Sequence, residues 1–130
     1  MHPFLVTPES TAATRTLLGP TPALAPYQTV VLEQRPDTAC AAARRFLGEF
    51  LGMAHYARSL RAQGFTDDDL ADGGSDRLLD AVVAWGCIEA IAKRVQAHHD
   101  ADADHVALHV LGGTDGLPRR QWRELASLAC

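Results

Sequence analysis

The stretch from Ser75 to Gly113 constrains this chain more than any other part of it. It reads SDRLLDAVVAWG, then CIEAIAKRVQAHHD, then ADADHVALHVLGG. In the second piece Ile88, Ile91, Ala92 and Val95 fall at i, i+3, i+4 and i+7. That spacing predicts one apolar stripe along an amphipathic helix. In the third piece Val106, Leu108 and Val110 alternate with His105, Ala107 and His109. A period of two with β-branched residues predicts a strand. Helix, polar turn, strand and a Gly-Gly break form the returning half of a βαβ unit. Such a crossover predicts a parallel sheet with helices packed against it.

The rest of the chain supplies the flanks. Residues 3–6 are short, apolar and bounded by Pro8, which suits a clipped strand. Thr7 is a natural N-cap for a helix with Pro8 at its first position, and Gly19-Pro20 closes it. Gln28 to Glu33 (QTVVLE) predicts a strand. Asp37 then caps a helix to about Leu51, with Ala43, Phe46, Leu47 and Phe50 facing the sheet. A further helix over 53–63 precedes Gly64, and Thr66 caps a short turn over Asp67-Asp68-Asp69, acidic residues that suit a helix start. Asp72-Gly73-Gly74 breaks the chain. After the loop from Gly112 to Leu117, Pro118 opens a last helix with Trp122, Leu125, Ala126 and Ala129 on its buried face. The order is βαβα, an inserted helical segment over about 53–74, then αβα. At 130 residues this is one α/β domain with a core of its own.

Charge and cysteine usage exclude several function classes. A net charge of −4 leaves no basic stripe to displace counterions from phosphates, so no nucleic-acid partner is expected. Arg44-Arg45 and Arg119-Arg120 read as solvated helix faces. No apolar run approaches the ~18 residues of a membrane span, and MHPFLVTPES lacks the basic-then-apolar order of an export signal. Cys40, Cys87 and Cys130 are odd in number, scattered, and form no CxxC pair. The expectation is reduced thiols in a cytoplasmic protein.

The candidate chemistry sits at strand and helix ends. His98, His99, His105 and His109 lie among Asp100, Asp102 and Asp104, yet the HxxxH spacing of His105 and His109 suits zinc on a helix and falls here on a strand. His98-His99 ends a helix, where imidazole complements the dipole. No metal is expected. If Val106, Leu108 and Val110 face outer helices, His109 faces the other side, near the carboxyl end of its strand. Glu33 occupies the equivalent end of QTVVLE, and parallel α/β folds place their binding sites at such ends. For each, a satisfied polar residue at a strand end is the competing reading. Gly73-Gly74-Ser75-Asp76-Arg77 reads either as an anion cradle at a helix start or as a linker with Ser75 as N-cap. Gly112-Gly113 carries the same two readings. Cys87 follows Trp85-Gly86 at a helix start, with no base beside it in sequence, and reads as a structural thiol.

Taken together, GGSDRLLDAVVAWG, an amphipathic helix, AHHDADADHVALHVL and LPRRQWRELA resemble the carboxyl-terminal part of luciferase-like flavin-dependent oxidoreductases. Within that family the chain is most similar to the branch using deazaflavin coenzyme F-420. HPFLVTPEST, LGPTPALAPYQTVVLEQRPDTA and LRAQGFTDDDLADGGSD resemble that branch in the same order, so the likeness spans essentially the whole chain. It implies the second half of a TIM-type (β/α)8 barrel: residues 3–6 like the fifth strand, QTVVLE the sixth, the VVAWG region a short seventh and HVALHVL the eighth. It also implies hydride transfer through reduced deazaflavin, or FMN as the alternative, to a small organic substrate. His2, Glu33 and His109 would line the substrate mouth, and Gly73, Gly74, Ser75 and Arg77 would form a cofactor-binding loop. A whole barrel needs ~250 residues. This chain matches only the second half, so activity by the chain alone is not expected. Cys87 stands where the family has an acidic helix cap, and Asp102 where it has glycine before the last strand. A half barrel has two open sheet edges, which template pairing with other chains. The expectation is a homo-oligomer, or a partner chain supplying the missing half. The alternative is a non-catalytic oligomerising domain built on the same half barrel.

Overall fold

The structure is a computed structural model that describes residues 1–111 and 117–128. Three strands, β1 (Tyr27–Val31), β2 (Val83–Trp85) and β3 (Ala107–Val110), form one sheet, parallel throughout, in the order β2-β1-β3. The helices among the described residues are α1 (Pro8–Leu18), α2 (Pro36–Leu51), α3 (Ala54–Ala62), α4 (Asp67–Leu70), α5 (Asp76–Val82), α6 (Ile88–Asp100) and α7 (Arg119–Leu125), which runs into a 3-10 turn over Ala126–Leu128. None of them is long and apolar enough to cross a membrane.

Most element ends follow local chemistry. Thr7 Oγ1 accepts the Ser10 N–H at 3.1 Å, Pro8 opens α1, and Gly19 closes it at φ 81°. Thr66 and Asp69 form a reciprocal capping box at α4, and Ser75 caps α5 by accepting the Leu78 N–H. The cap of α2 lies two residues earlier than expected: Arg35 holds the cap position without a side-chain bond, and Asp37 lies inside the first turn, where its charge still suits the dipole. Residues 3–6 are not a regular strand. The Pro3 carbonyl accepts the Tyr27 N–H at 2.8 Å, but Leu5 adopts φ 55° and turns its side chain into the core. Burial of Leu5 outweighs continuation of the ladder.

The register sorts the two cores. Thr29 pairs with both Val83 and His109, and Val31 with Trp85, so these side chains share one face of the sheet. Val31 and Val83 pack there with Ala39, Ala43 and Leu47 of α2 and with Leu78 and Leu79 of α5. Val30, Ala84 and Val110 point the other way, against Ile91 of α6 and Leu125 of α7. Leu108 and Val110 thus face the α6 side and His109 the opposite one, as the alternation predicted. β2 and β3 lie on opposite sides of β1, so the two crossovers run in opposite directions. Right-handedness then puts α2–α5 on one face and α6 on the other.

The α/β class and the parallel strands match expectation, whereas the strand order does not follow a barrel wall. A barrel would place β2, the seventh strand of the resemblance, between β1 and β3. Here β1 is central, as in an open doubly wound sheet. A three-stranded barrel wall would leave one face bare. In the observed order α2 and Phe4 cover that face, and Val31 and Val83 are at most 5% exposed. The last helix departs as well: of its expected buried face Leu125 is buried, Trp122 is 46% exposed and Ala126 is exposed, while Ala129 and Gly112-Gly113 lie outside the described residues. β3 is an edge strand of the sheet among the described residues.

One buried polar chain ties the layers together. His98 of α6 is fully buried; its Nε2 lies 2.9 Å from Gln28 Oε1 and its Nδ1 2.9 Å from Thr11 Oγ1. Gln28 Nε2 donates to the Thr29 and Val82 carbonyls, which leaves its oxygen as acceptor. His98 therefore donates from Nε2 and accepts the Thr11 hydroxyl at Nδ1, a neutral imidazole with both nitrogens used. Desolvation, with Arg94 adding repulsion, lowers its pKa from 6.5 to about 4. The unfolded chain binds this proton more readily, so stability is full above pH 6.5 and falls as the pH drops toward 4. Roughly 3 kcal/mol is lost across that window. Denaturant unfolding over this range should show the slope, and His98→Leu should flatten it to the smaller part left by His109 and the carboxylates while lowering stability at neutral pH by about 1–3 kcal/mol through the unpaired Gln28 and Thr11 groups. A slope unchanged in the variant would refute the assignment.

Candidate functional site

All three strands run the same way, so their carboxyl ends emerge on one edge. β1 continues past Val31 into Leu32 and Glu33, and two crevices open on either side of that tip. The first, of about 380 Å³, lies toward β2 and the start of α6, with Glu33, Gly86, Cys87, Glu89 and Arg120 around it. The second, of about 510 Å³, lies toward β3 and the start of α2, with Leu32, Asp37, Thr38, Arg45, Leu111 and Arg120 around it. The second is the gap where the strand order reverses, the place at which open parallel sheets bind ligands. Glu33 and Arg120 border both, and both volumes suit a small organic ligand.

Glu33 is held as a carboxylate. Its Oε1 accepts the Arg35 backbone N–H at 3.0 Å and the Arg35 Nε at 3.3 Å. These bonds, the backbone one first, keep its pKa below the usual 4.5. Glu33 is therefore an acceptor for ligand hydroxyl or N–H groups and a weak proton donor at neutral pH. At the start of α6, Cys87 holds the cap position without a capping bond. Glu89 lies in the first turn, where its own backbone N–H and then the Cys87 thiol lower its pKa. Gly86 makes the entry at φ 120°, its N–H donating to the Val31 carbonyl.

The other residues singled out from sequence lie elsewhere. His2 sits at the amino end of β1, its Nδ1 3.2 Å from the Ala25 carbonyl and its ring 6.0 Å from Tyr27. Six residues at about 3.3 Å each separate Tyr27 from Glu33, roughly 20 Å, so one pocket does not contain both. His109 lies under the α2 face, 5.1 Å from the Phe46 ring and 6.0 Å from Phe4, with Nδ1 3.5 Å from Thr29 Oγ1. Burial lowers its pKa and keeps it neutral. Gly73 and Gly74 pack against Arg44, Leu47 and Leu51 in the second half of α2. Ser75 Oγ donates to Asp69 Oδ1 at 2.7 Å, and Arg77 pairs with Asp69 Oδ2 at 2.7 Å while its guanidinium lies 4.8 Å from the Phe65 ring. Arg77, the backbone of Thr66 and Ser75 hold the Asp69 carboxyl well below the carboxylate range. The Ser75 hydroxyl and one Arg77 nitrogen are spent on Asp69, the Gly74 N–H goes to the Ala71 carbonyl, and α5 is a seven-residue helix. The four histidines diverge too: His98 is in the core, His99 Nδ1 lies 3.2 Å from the Ala103 carbonyl, His105 is exposed and His109 is on the other face.

Glu33 is legible in the sequence at a strand end, whereas the pairs containing Arg45 and Arg120 read there as plain solvated charges. Both are exposed, yet they rim the crevices. The one signal for Arg120 was Pro118, which starts α7 soon after β3 leaves the sheet and so keeps its first turn near the carboxyl edge.

No family model, curated protein or solved structure matches this chain.

Carboxyl-carbon NMR shifts against pH should show Glu33 titrating below 4.5. Arg35→Ala should move that pKa only part of the way back, because the backbone N–H is the larger influence. A full return would mean that the guanidinium alone holds the carboxylate.

Proposed function

We propose that this chain is a luciferase-like oxidoreductase-type polypeptide whose cofactor-facing surface is the carboxyl edge of its sheet, and that it works within an assembly rather than alone. The observation that carries this reading is the meeting of Glu33, the α6 start and Arg120 around two ligand-sized crevices. The resemblance along the chain adds to it, and one structural detail agrees. Asp102 adopts φ 69°, a left-handed conformation at the position where the resemblance has glycine. β1 and β2 are parallel neighbours, as sixth and seventh barrel strands would be. The half-barrel form is the part of the resemblance least supported by the order β2-β1-β3. Barrels and doubly wound sheets both bind ligands at strand carboxyl ends, so the site reading holds for either.

The residues present fit an anionic flavin or deazaflavin coenzyme F-420. Arg45 and Arg120 would meet phosphate or carboxylate groups, Val31, Leu32, Ala42 and Leu111 offer an apolar wall to a ring system, and Glu33 would accept from ring N–H or ribityl hydroxyl groups. When bound, the cofactor supplies the hydride for a small organic substrate. The protein's share is orientation by Glu33 and neutralisation by the two arginines.

A second reading, a non-catalytic oligomerising domain, is favoured by the uncovered edge of β3 and the exposed Trp122. Titrating F-420 and FMN separately into the purified chain, read by cofactor fluorescence, distinguishes the two. Micromolar binding of either, weakened about tenfold or more by Glu33→Gln, is the expected result, since a charged acceptor would be lost. Arg77→Ala should leave that affinity unchanged; a fall would relocate the cofactor to the Gly73–Arg77 loop. Absence of binding by either cofactor would leave the oligomerising reading in possession.

A further inference from the structure

We propose that the open edge of β3 is a self-association site, through which two copies of this chain join their three-stranded sheets into one continuous sheet. It rests on the oligomeric reading above and not on the cofactor reading.

The backbone ladder shows which groups are free. The Ala107 N–H donates to the Pro26 carbonyl at 3.0 Å, and the Leu111 N–H to the Val30 carbonyl at 2.9 Å. Backbone groups alternate along a strand, so residues 107, 109 and 111 turn theirs to β1, and Leu108 and Val110 turn theirs outward. No described residue pairs with those outward groups. The opposite edge is better guarded: β2 has three residues, and its Val83 N–H is taken by the Leu79 carbonyl. Natural edge strands are blunted by lysine, proline, bulges or inward charge. The run HVALHVL over 105–111 has none of Lys, Arg, Asp, Glu or Pro.

Both flanks of this edge are apolar and only partly covered. On the α6 side Val95, Leu108, Trp122 and Leu128 line a groove of about 510 Å³. On the α2 side Phe4, Phe46, Phe50 and Tyr56 are only partly buried around His109. An added strand would place alternate side chains on these two surfaces.

The occupant that fits is a second copy of β3, antiparallel, about a two-fold axis through His109. Leu108 then stands opposite Val110 of the second copy, and the two exchange both hydrogen bonds; the axis repeats the exchange. Charge favours the same arrangement. Asp100 and Asp102, with Asp104 paired to Arg15, lie at the amino end of β3, whereas Arg119 and Arg123, with Arg120 paired to Glu124, lie on α7, which begins at the carboxyl edge; each end keeps a surplus of its own sign. Antiparallel pairing sets the acidic end of each copy beside the basic end of the other. Side-by-side parallel pairing would oppose like charges. An unrelated apolar strand would satisfy the backbone but lacks this two-fold charge match.

Sedimentation velocity on the full chain across a concentration series tests the idea. The expected species has twice the 14.0 kDa monomer mass. Leu108→Pro removes an outward N–H and no bond to β1, and should weaken dimerisation about tenfold or more, since the axis deletes that bond twice. Should that variant misfold, amide exchange on the unaltered chain decides: the Leu108 and Val110 amides should be protected at dimer-forming concentration and exposed on dilution. A dimer in which both amides exchange equally fast at either concentration would overturn the β3 edge yet leave the oligomeric reading standing. A monomer at every concentration would overturn both.

Discussion

The structure depends on one requirement: β1 must be buried on both faces. Val30 and Gln28 are fully buried on one side, and Thr29 and Val31 nearly so on the other. A central strand enclosed in this way accepts polar side chains only if each finds a partner. Gln28 therefore reaches His98 and two backbone carbonyls, and His98 reaches Thr11. That short chain joins α1, β1, the end of α5 and α6, all of which must sit correctly for it to close. It specifies an arrangement rather than simply adding stability, because a half-satisfied version would be worse than an apolar one.

The same requirement governs the function reading. Enclosing β1 brings β3 to its far side and opens the reversal crevice beside Glu33. It also separates groups that a sequence comparison would gather into one mouth. His109 lies under α2 as a neutral ring among aromatics, and His2 lies at the amino end. The Gly73–Arg77 segment serves Asp69, a carboxylate that gathers Thr66, Ser75 and Arg77 and so fixes the turn between α4 and α5. The side chains that line the carboxyl edge are instead Glu33, Arg45 and Arg120, with Glu89 and Cys87 at the adjacent helix start.

Local signals in the chain carried far. The caps at Thr7, Thr66 and Ser75 were readable because an N-cap is an interaction over three residues. The alternation over 105–110 told which way His109 points, because side-chain direction along a strand has a fixed period. Glu33 was readable as an edge residue for the same reason. Arg120 was not, since its place depends on how α7 packs after β3. The uncovered Trp122 was also illegible: a stripe shows that a helix has an apolar face but not whether anything lies opposite it.

By itself, then, the sequence determined an α/β chain with parallel strands, the side-chain caps that start α1, α4 and α5, and which residues lie at strand tips. These follow from steric period and short-range hydrogen bonding, which act between residues close in the chain. Only the tertiary structure decided the order β2-β1-β3, the meeting of Thr11 with His98 across 87 positions, and the edge of β3 that no described residue pairs. Those follow from enclosing a shared core, a constraint imposed by volume and surface on all the elements at once.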